Sequence, residues 1–184
     1  MTFSVCIFCG SSFGDDPRYT DAARETGAEI ARRGWTLVYG GARVGLMGVV
    51  ANAALDAGGR VIGVVPRFLY EREVGHDGIT SLEIVGSLTE RKLRMGELSD
   101  AFLSLPGGIG TLDELFEAWS WSQVGLQSKP SGLLNVAGYY DALVAFVGRA
   151  TAAGFVKPQH RQWLSVSDDV GELLDGFRRR PSPH

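Results

Sequence analysis

Apolar residues along this chain gather in short bursts, and between most of the bursts they recur at helical spacing. The bursts at 5–8, 36–39, 60–65, 82–85, 101–105 and 132–135 are too short for helices and read as strands. Helical patterns lie between them at 19–33, 45–57, 89–98, 112–124 and 139–152, and a shorter unit, 163–166 followed by 170–177, adds one more strand and helix. Strands alternating with helices imply an α/β fold, an open Rossmann-like parallel sheet with helices on both faces. Nothing repeats internally and no low-complexity linker interrupts the pattern, so residues 1–177 are expected to form a single domain. The tail, 178–184, opens on Arg178-Arg179-Arg180, contains prolines and serine, and is expected to be a disordered, solvated end.

A length of 184 residues and 45% hydrophobic content suit one substantial core. Net charge is −3, which lacks the basic footprint that nucleic-acid binding needs. The first residues, Met1-Thr2-Phe3-Ser4, have no basic segment of a signal peptide, and no run approaches the ~20 apolar residues of a membrane span, so a cytoplasmic, membrane-free protein is expected. Cys6 and Cys9 form a CxxC pair within the first strand region, where residues three apart face opposite sides and suit neither a disulfide nor a shared metal. His76, His160 and His184 show no ligand spacing, and no metal is expected.

Three loops leave strand ends with glycine or hydroxyl chemistry: 9–12 (CGSS), 40–48 (GGARVGLMG) and 106–114 (PGGIGTLDE). In a parallel sheet such loops share one edge, where ligands bind. In the third loop Gly107, Gly108 and Gly110 let N–H groups approach an anion, the helix that follows adds a partial positive charge, and phosphate is the expected guest. A purely structural reading competes with this: Thr111-Leu112-Asp113-Glu114 is also a capping box, with Thr111 as cap and Glu114 reaching back. Upstream, Arg91 and Lys92 stand side by side near a helix start, either on a solvated face where Glu90 pairs with Arg94 or reaching a substrate.

Other nucleotide chemistries fit poorly. The first strand lacks GxGxxG, the third ends at Val64-Val65-Pro66 without the acidic residue of a dinucleotide site, and no Walker A lysine is present. A pyridoxal phosphate enzyme needs a Schiff-base lysine, yet Lys129 and Lys157 each precede a proline and Lys92 has no supporting cofactor motif.

The segments 9–12, Tyr39-Gly40-Gly41 with 44–48, Glu90-Arg91-Lys92 with Met95, 99–102, 106–114, and Lys129-Pro130 with 132–140 stand in a specific order and spacing. In these the chain resembles the Lonely Guy family, often labelled lysine decarboxylase-like, over about residues 4–157. That resemblance implies a phosphoribohydrolase without a cofactor. It would hydrolyse the N-glycosidic bond of N6-substituted adenosine monophosphates, or of AMP, to free base and ribose 5-phosphate. It further implies that Arg91 and Glu114 are the catalytic pair, that Glu73, Lys92, Gly107, Gly108, Ile109, Gly110, Thr111 and Ser120 contact substrate together with that pair, and that the chain forms at least a dimer with its site near the interface. Ala42, where the family usually has a third glycine, Ile109, Ser120, Gln127 and 87–89 depart from its pattern. Phe116, Trp119 and Trp121 give the helix after the loop more aromatic surface than one core face needs, so one tryptophan is expected at a subunit interface. A non-hydrolytic nucleotide-binding or carrier module of the same fold is the alternative.

Overall fold

The computed structural model describes residues 2–179. In chain order the elements are β1 (Ser4–Phe8), α1 (Pro17–Arg32), β2 (Thr36–Tyr39), α2 (Gly45–Asp56), β3 (Arg60–Pro66), α3 (Arg67–Leu69), a π-type turn (Tyr70–Val74) and β4 (Ser81–Val85). They continue as α4 (Leu88–Glu97), β5 (Ala101–Ser104), α5 (Ile109–Gln123), β6 (Ser131–Leu134), a 3₁₀ turn (Val136–Gly138), α6 (Asp141–Ala152), α7 (Pro158–Arg161), β7 (Leu164–Ser167) and α8 (Val170–Arg179). The strands form one seven-stranded sheet in the order β4-β3-β2-β1-β5-β6-β7, every neighbouring pair parallel. This is the Rossmann-like arrangement that the alternation of short apolar runs and helical patterns requires.

Alternate residues of each strand feed the layers on either side. Val5, Ile7, Leu37, Tyr39, Leu103 and Leu134 pack toward α1, α2 and α8, where Ile30, Val50, Leu174 and Phe177 meet them. Cys6, Phe8, Val38, Val64 and Phe102 pack on the other face, with Met95 of α4 and Ala118 of α5. Farther along that face, Leu115 and Trp119 of α5 join Leu133, Val147 of α6 and Leu164. Cys9 belongs to the first of these clusters and Cys6 to the second, so the two thiols lie on opposite sides of the sheet, both free and buried.

Close approach of α1 to α2 rests on Gly27, where an added Cβ would lie 2.2 Å from the Val50 carbonyl oxygen. That contact seats α2 against α1.

Three boundaries differ from the sequence pattern. Residues 67–74 hold helical turns rather than a plain loop. The helix expected from 112 starts at Ile109, because the turn 109–111 already has helical geometry despite Gly110. The last helix takes in Arg178 and Arg179, which the sequence places in a disordered tail from 178; Arg180 and residues 181–184 lie outside the described residues. The amphipathic face of α8, carried by Val170, Leu173, Leu174 and Phe177, holds the helix on the sheet as far as its end.

Candidate active site

Strand β1 sits between β2, which follows it in sequence, and β5, which belongs to the other half of the sheet. The loops leaving β1 and β5 therefore diverge at a topological switch point, the place where open parallel sheets bind ligands. Here they enclose a crevice of about 260 Å³, lined by Gly10, Ser11, Ser12, Gly107, Gly108 and Tyr139 among others. The Gly10 N–H donates to the Pro106 carbonyl at 3.1 Å, which ties one loop to the other. A Cβ on Gly107 would lie 2.1 Å from the Thr111 hydroxyl and 2.7 Å from the Gly10 nitrogen, so only glycine fits there.

Helix α5 opens on this crevice, with Gly108 as its N-cap and no side-chain cap. The N–H groups of Ile109, Gly110 and Thr111 fall in the first turn, where helix geometry leaves them without intrahelical acceptors, and they add to the partial positive charge of that end. Thr111 is therefore not the cap, and Glu114 does not reach back to one: the capping box expected at 111–114 is absent. A related cap stands at the head of α4, where the hydroxyl of the N-cap residue Ser87 accepts from Glu90 N–H at 3.1 Å and Glu90 reaches past it to accept from Gly86 N–H at 2.7 Å. Glu90 is thereby taken away from Arg94, whose guanidinium pairs with Glu83 at 2.6 Å and Glu97 at 3.0 Å.

Released from capping, Glu114 meets Arg91: Nη1 lies 2.8 Å from Oε1, with the two side chains 13% and 9% exposed. Arg91 reaches across from α4 and donates through Nε to the Val64 carbonyl at 3.2 Å. The Nη2 end of its guanidinium occupies the space beside Gly40, where an added Cβ would stand 1.8 Å away from it. Burial pushes the Glu114 carboxyl above the usual glutamate range, and the Arg91 charge offsets only part of that rise. The neighbouring Cys9 thiol is pushed well up from the usual thiol range by burial and by Glu114.

The other expected contacts are spread more widely. Thr111 is buried behind the crevice, whereas Ile109 is 88% exposed and Ser120 lies exposed on the outer side of α5. Lys92 is held on α5 by Asp113 at 3.0 Å and Glu117 at 2.9 Å; burial depresses its pKa, but these two carboxylates raise it further. Glu73 falls in the π-type turn, and its side chain lies outside the described residues. Ala42 is not in the left-handed region; it forms an antiparallel bridge with Gly75, so a third glycine is not needed for this loop's backbone. Sequence reasoning missed Gly40 as the slot for Arg91 and Tyr19 as a wall of the crevice, where its ring meets Tyr139 edge-on at 5.4 Å. A glycine directly after β2, at the ligand edge, is the one signal for the former; for Tyr19 the sequence offers none.

Fold and site together define an α/β protein with a glycine-rich loop and helix N-terminus at its switch point and a buried arginine–carboxylate pair beside it. Residues 47–177 match the family model described as "possible lysine decarboxylase". The chain is 50% identical to the probable cytokinin riboside 5′-monophosphate phosphoribohydrolase LOGL9 of Oryza sativa subsp. japonica, over 92% of this chain and 75% of that protein. It is 44% identical to the cytokinin riboside 5′-monophosphate phosphoribohydrolase LOG1 of Arabidopsis thaliana, over 92% of this chain and 80% of that one. The chain belongs to this family, the Lonely Guy family that its motifs resemble. Among solved structures, the molybdenum cofactor carrier protein of Chlamydomonas reinhardtii superposes with a TM-score of 0.72 at 21% identity, covering 97% of this chain and 98% of that one, a likeness of fold.

Proposed function

We propose that this protein is a phosphoribohydrolase that cleaves cytokinin riboside 5′-monophosphates to the free base and ribose 5-phosphate. Curated relatives carrying that activity in their names, at 43% to 50% identity over most of the chain, support the reaction. The observation that carries it into chemistry is the Arg91–Glu114 pair, buried and 2.8 Å apart, beside the loop that opens α5. A helix N-terminus flanked by Gly107 and Gly108 suits the 5′-phosphate, and binding that remote group fixes the ribose against the pair.

In the reaction, water attacks C1′ as the bond to N9 breaks; the oxygen stays on C1′ as a hydroxyl, the bond electrons leave with the base, and the proton the water gives up ends on the base. Positive charge grows on the ribose ring, and the Glu114 carboxylate stabilises it and orients the attacking water. Arg91 holds Glu114 in place and balances its charge before substrate enters. Gly108, Gly110 and Thr111 hold the phosphate, and Lys92, Ile109, Ser120 and Glu73 belong to the outer contacts in this proposal. Decarboxylase chemistry finds no support at the three lysines: Lys92 is held charged between two carboxylates, Lys129 donates to the Gly96 carbonyl at the end of α4, and Lys157 lies before Pro158 at the N-cap position of α7, away from the crevice lining.

The same proposal takes AMP as a further substrate, a cytoplasmic location, and assembly into at least a dimer. No helix among the described residues is long and apolar enough to cross a membrane. Leu93 of α4 and Phe116 of α5 are exposed apolar side chains on one helical layer, which suits a subunit interface; Trp119 itself is buried and donates to the His160 carbonyl at 3.0 Å. Incubating the protein with N6-isopentenyl AMP and separating the products tests the reaction. Free base and ribose 5-phosphate in equal amounts are expected; tight binding without base release would establish the carrier alternative.

A further inference from the structure

The carbonyl oxygens of the loop between β5 and α5 present a problem for anion binding, because each one facing the crevice would repel a phosphate. Four in succession are occupied. The Tyr140 hydroxyl donates to the Leu105 carbonyl at 2.6 Å, Gly10 N–H to Pro106 at 3.1 Å, the Tyr139 hydroxyl to Gly107 at 2.6 Å, and Leu112 N–H to Gly108 at 3.1 Å. Two of the four donors are adjacent tyrosines from beyond β6, an element that contributes nothing else to the proposed chemistry.

We infer that Tyr139 and Tyr140 are positioning residues of the phosphate loop, whose hydroxyls hold the Gly107 and Leu105 carbonyls away from the anion. The inference rests on the phosphate site proposed above. The segment carrying them is built for the purpose. Asn135 accepts from the Tyr140 N–H at 2.7 Å and donates to Asp141 at 2.7 Å, which closes the turn on itself. Within it Ala137 takes a left-handed φ of 54°, an uncommon conformation for a residue with a Cβ, and Gly138 follows at 76°. This double left-handed step delivers two consecutive tyrosines to one loop from the same side. Tyr140 is buried, while Tyr139 lines the crevice and packs edge-on against Tyr140 at 4.9 Å.

Loss of one hydroxyl frees a carbonyl to turn toward the anion. Calorimetric titration of the wild type, Tyr139→Phe and Tyr140→Phe with inorganic phosphate, and in parallel with N6-isopentenyladenosine, tests the role. Each variant is expected to bind phosphate about tenfold more weakly, the equivalent of one hydrogen bond of about 1.4 kcal/mol, with nucleoside affinity within about twofold of wild type. The double variant is expected to bind phosphate more weakly than either single variant, without simple additivity, because the two rings touch and share one loop. Tyr139→Phe removes a hydroxyl at the crevice wall and leaves the buried ring of Tyr140 in place, so its result stands even where the Tyr140 variant folds poorly. Unchanged phosphate affinity, or phosphate and nucleoside weakening together, would overturn the inference and leave the phosphate site standing. Wild-type protein that binds no phosphate would overturn the site itself.

Discussion

Replacing Gly40 by alanine isolates the geometry on which the proposed chemistry depends. The new Cβ would stand 1.8 Å from Nη2 of Arg91 and 2.9 Å from its Cζ. Ordinary contact needs about 3.5 Å, so the guanidinium must retreat by roughly 1.7 Å, and the 2.8 Å bond to Glu114 opens. The obstacle is the end of a flexible side chain and Gly40 has no left-handed φ, so the backbone accepts alanine without strain. A compatible Gly→Ala change gains about 0.4–1 kcal/mol through the unfolded chain, which offsets part of the lost pairing. Stability is therefore expected within about 2 kcal/mol of wild type, a Tm change of up to about 8 °C. Activity falls much further: misplacement of a catalytic group by about 1 Å costs about a hundredfold in rate, or ~2.7 kcal/mol of transition-state stabilisation. Base release from N6-isopentenyl AMP measures kcat/KM, and the same substitution in an Arg91→Ala background supplies the control. There it should cost less than about twofold, since its effect runs through Arg91. Wild-type kcat/KM in the single variant, or a full further hundredfold loss in the double, would refute the reasoning.

Three further outcomes follow from named contacts. Burial raises the pKa of Glu114, so activity that needs its carboxylate is present above that raised value and lost as pH falls through it; the acid limb of kcat/KM should lie above the ordinary glutamate range. Stability runs the opposite way: a carboxyl whose folded pKa is raised contributes stability that is fully present below its unfolded value and is lost as pH rises through the folded one, a slope that denaturant titrations should find flattened in Glu114→Gln. Gly27→Ala puts a Cβ 2.2 Å from the Val50 carbonyl oxygen, a backbone atom that cannot swing aside, and should destabilise by about 3 kcal/mol, lowering Tm by about 6–12 °C in a thermal melt. A melt within about 2 °C of wild type would show that α1 and α2 separate freely.

The strands were legible because a strand buried on both faces reads as a short unbroken apolar run, and β1, β2 and β5 are such runs. Helix starts were less legible because their signatures are degenerate. Ser87 to Glu90 and Thr111 to Glu114 carry the same cap spacing, yet only the first caps a helix, since tertiary packing draws Glu114 to Arg91 instead. The glycines of 107–110 hid the first turn of α5, whose N–H groups are the proposed phosphate donors. Arg91 and Glu114 could be singled out by type and motif, but their meeting depends on how α4 and α5 pack and on the missing side chain at Gly40. Lys92 is identifiable in the same way, and only packing reveals its two carboxylate partners on α5.

The most direct test of the account compares wild type with Glu114→Gln, which retains an oxygen to accept from Arg91 and loses the negative charge. Free base released from N6-isopentenyl AMP and affinity for AMP are measured on the same preparations. AMP affinity is expected within a few-fold of wild type and base release is expected to fall by about a hundredfold or more. Base release at the wild-type rate in the folded variant would contradict the account.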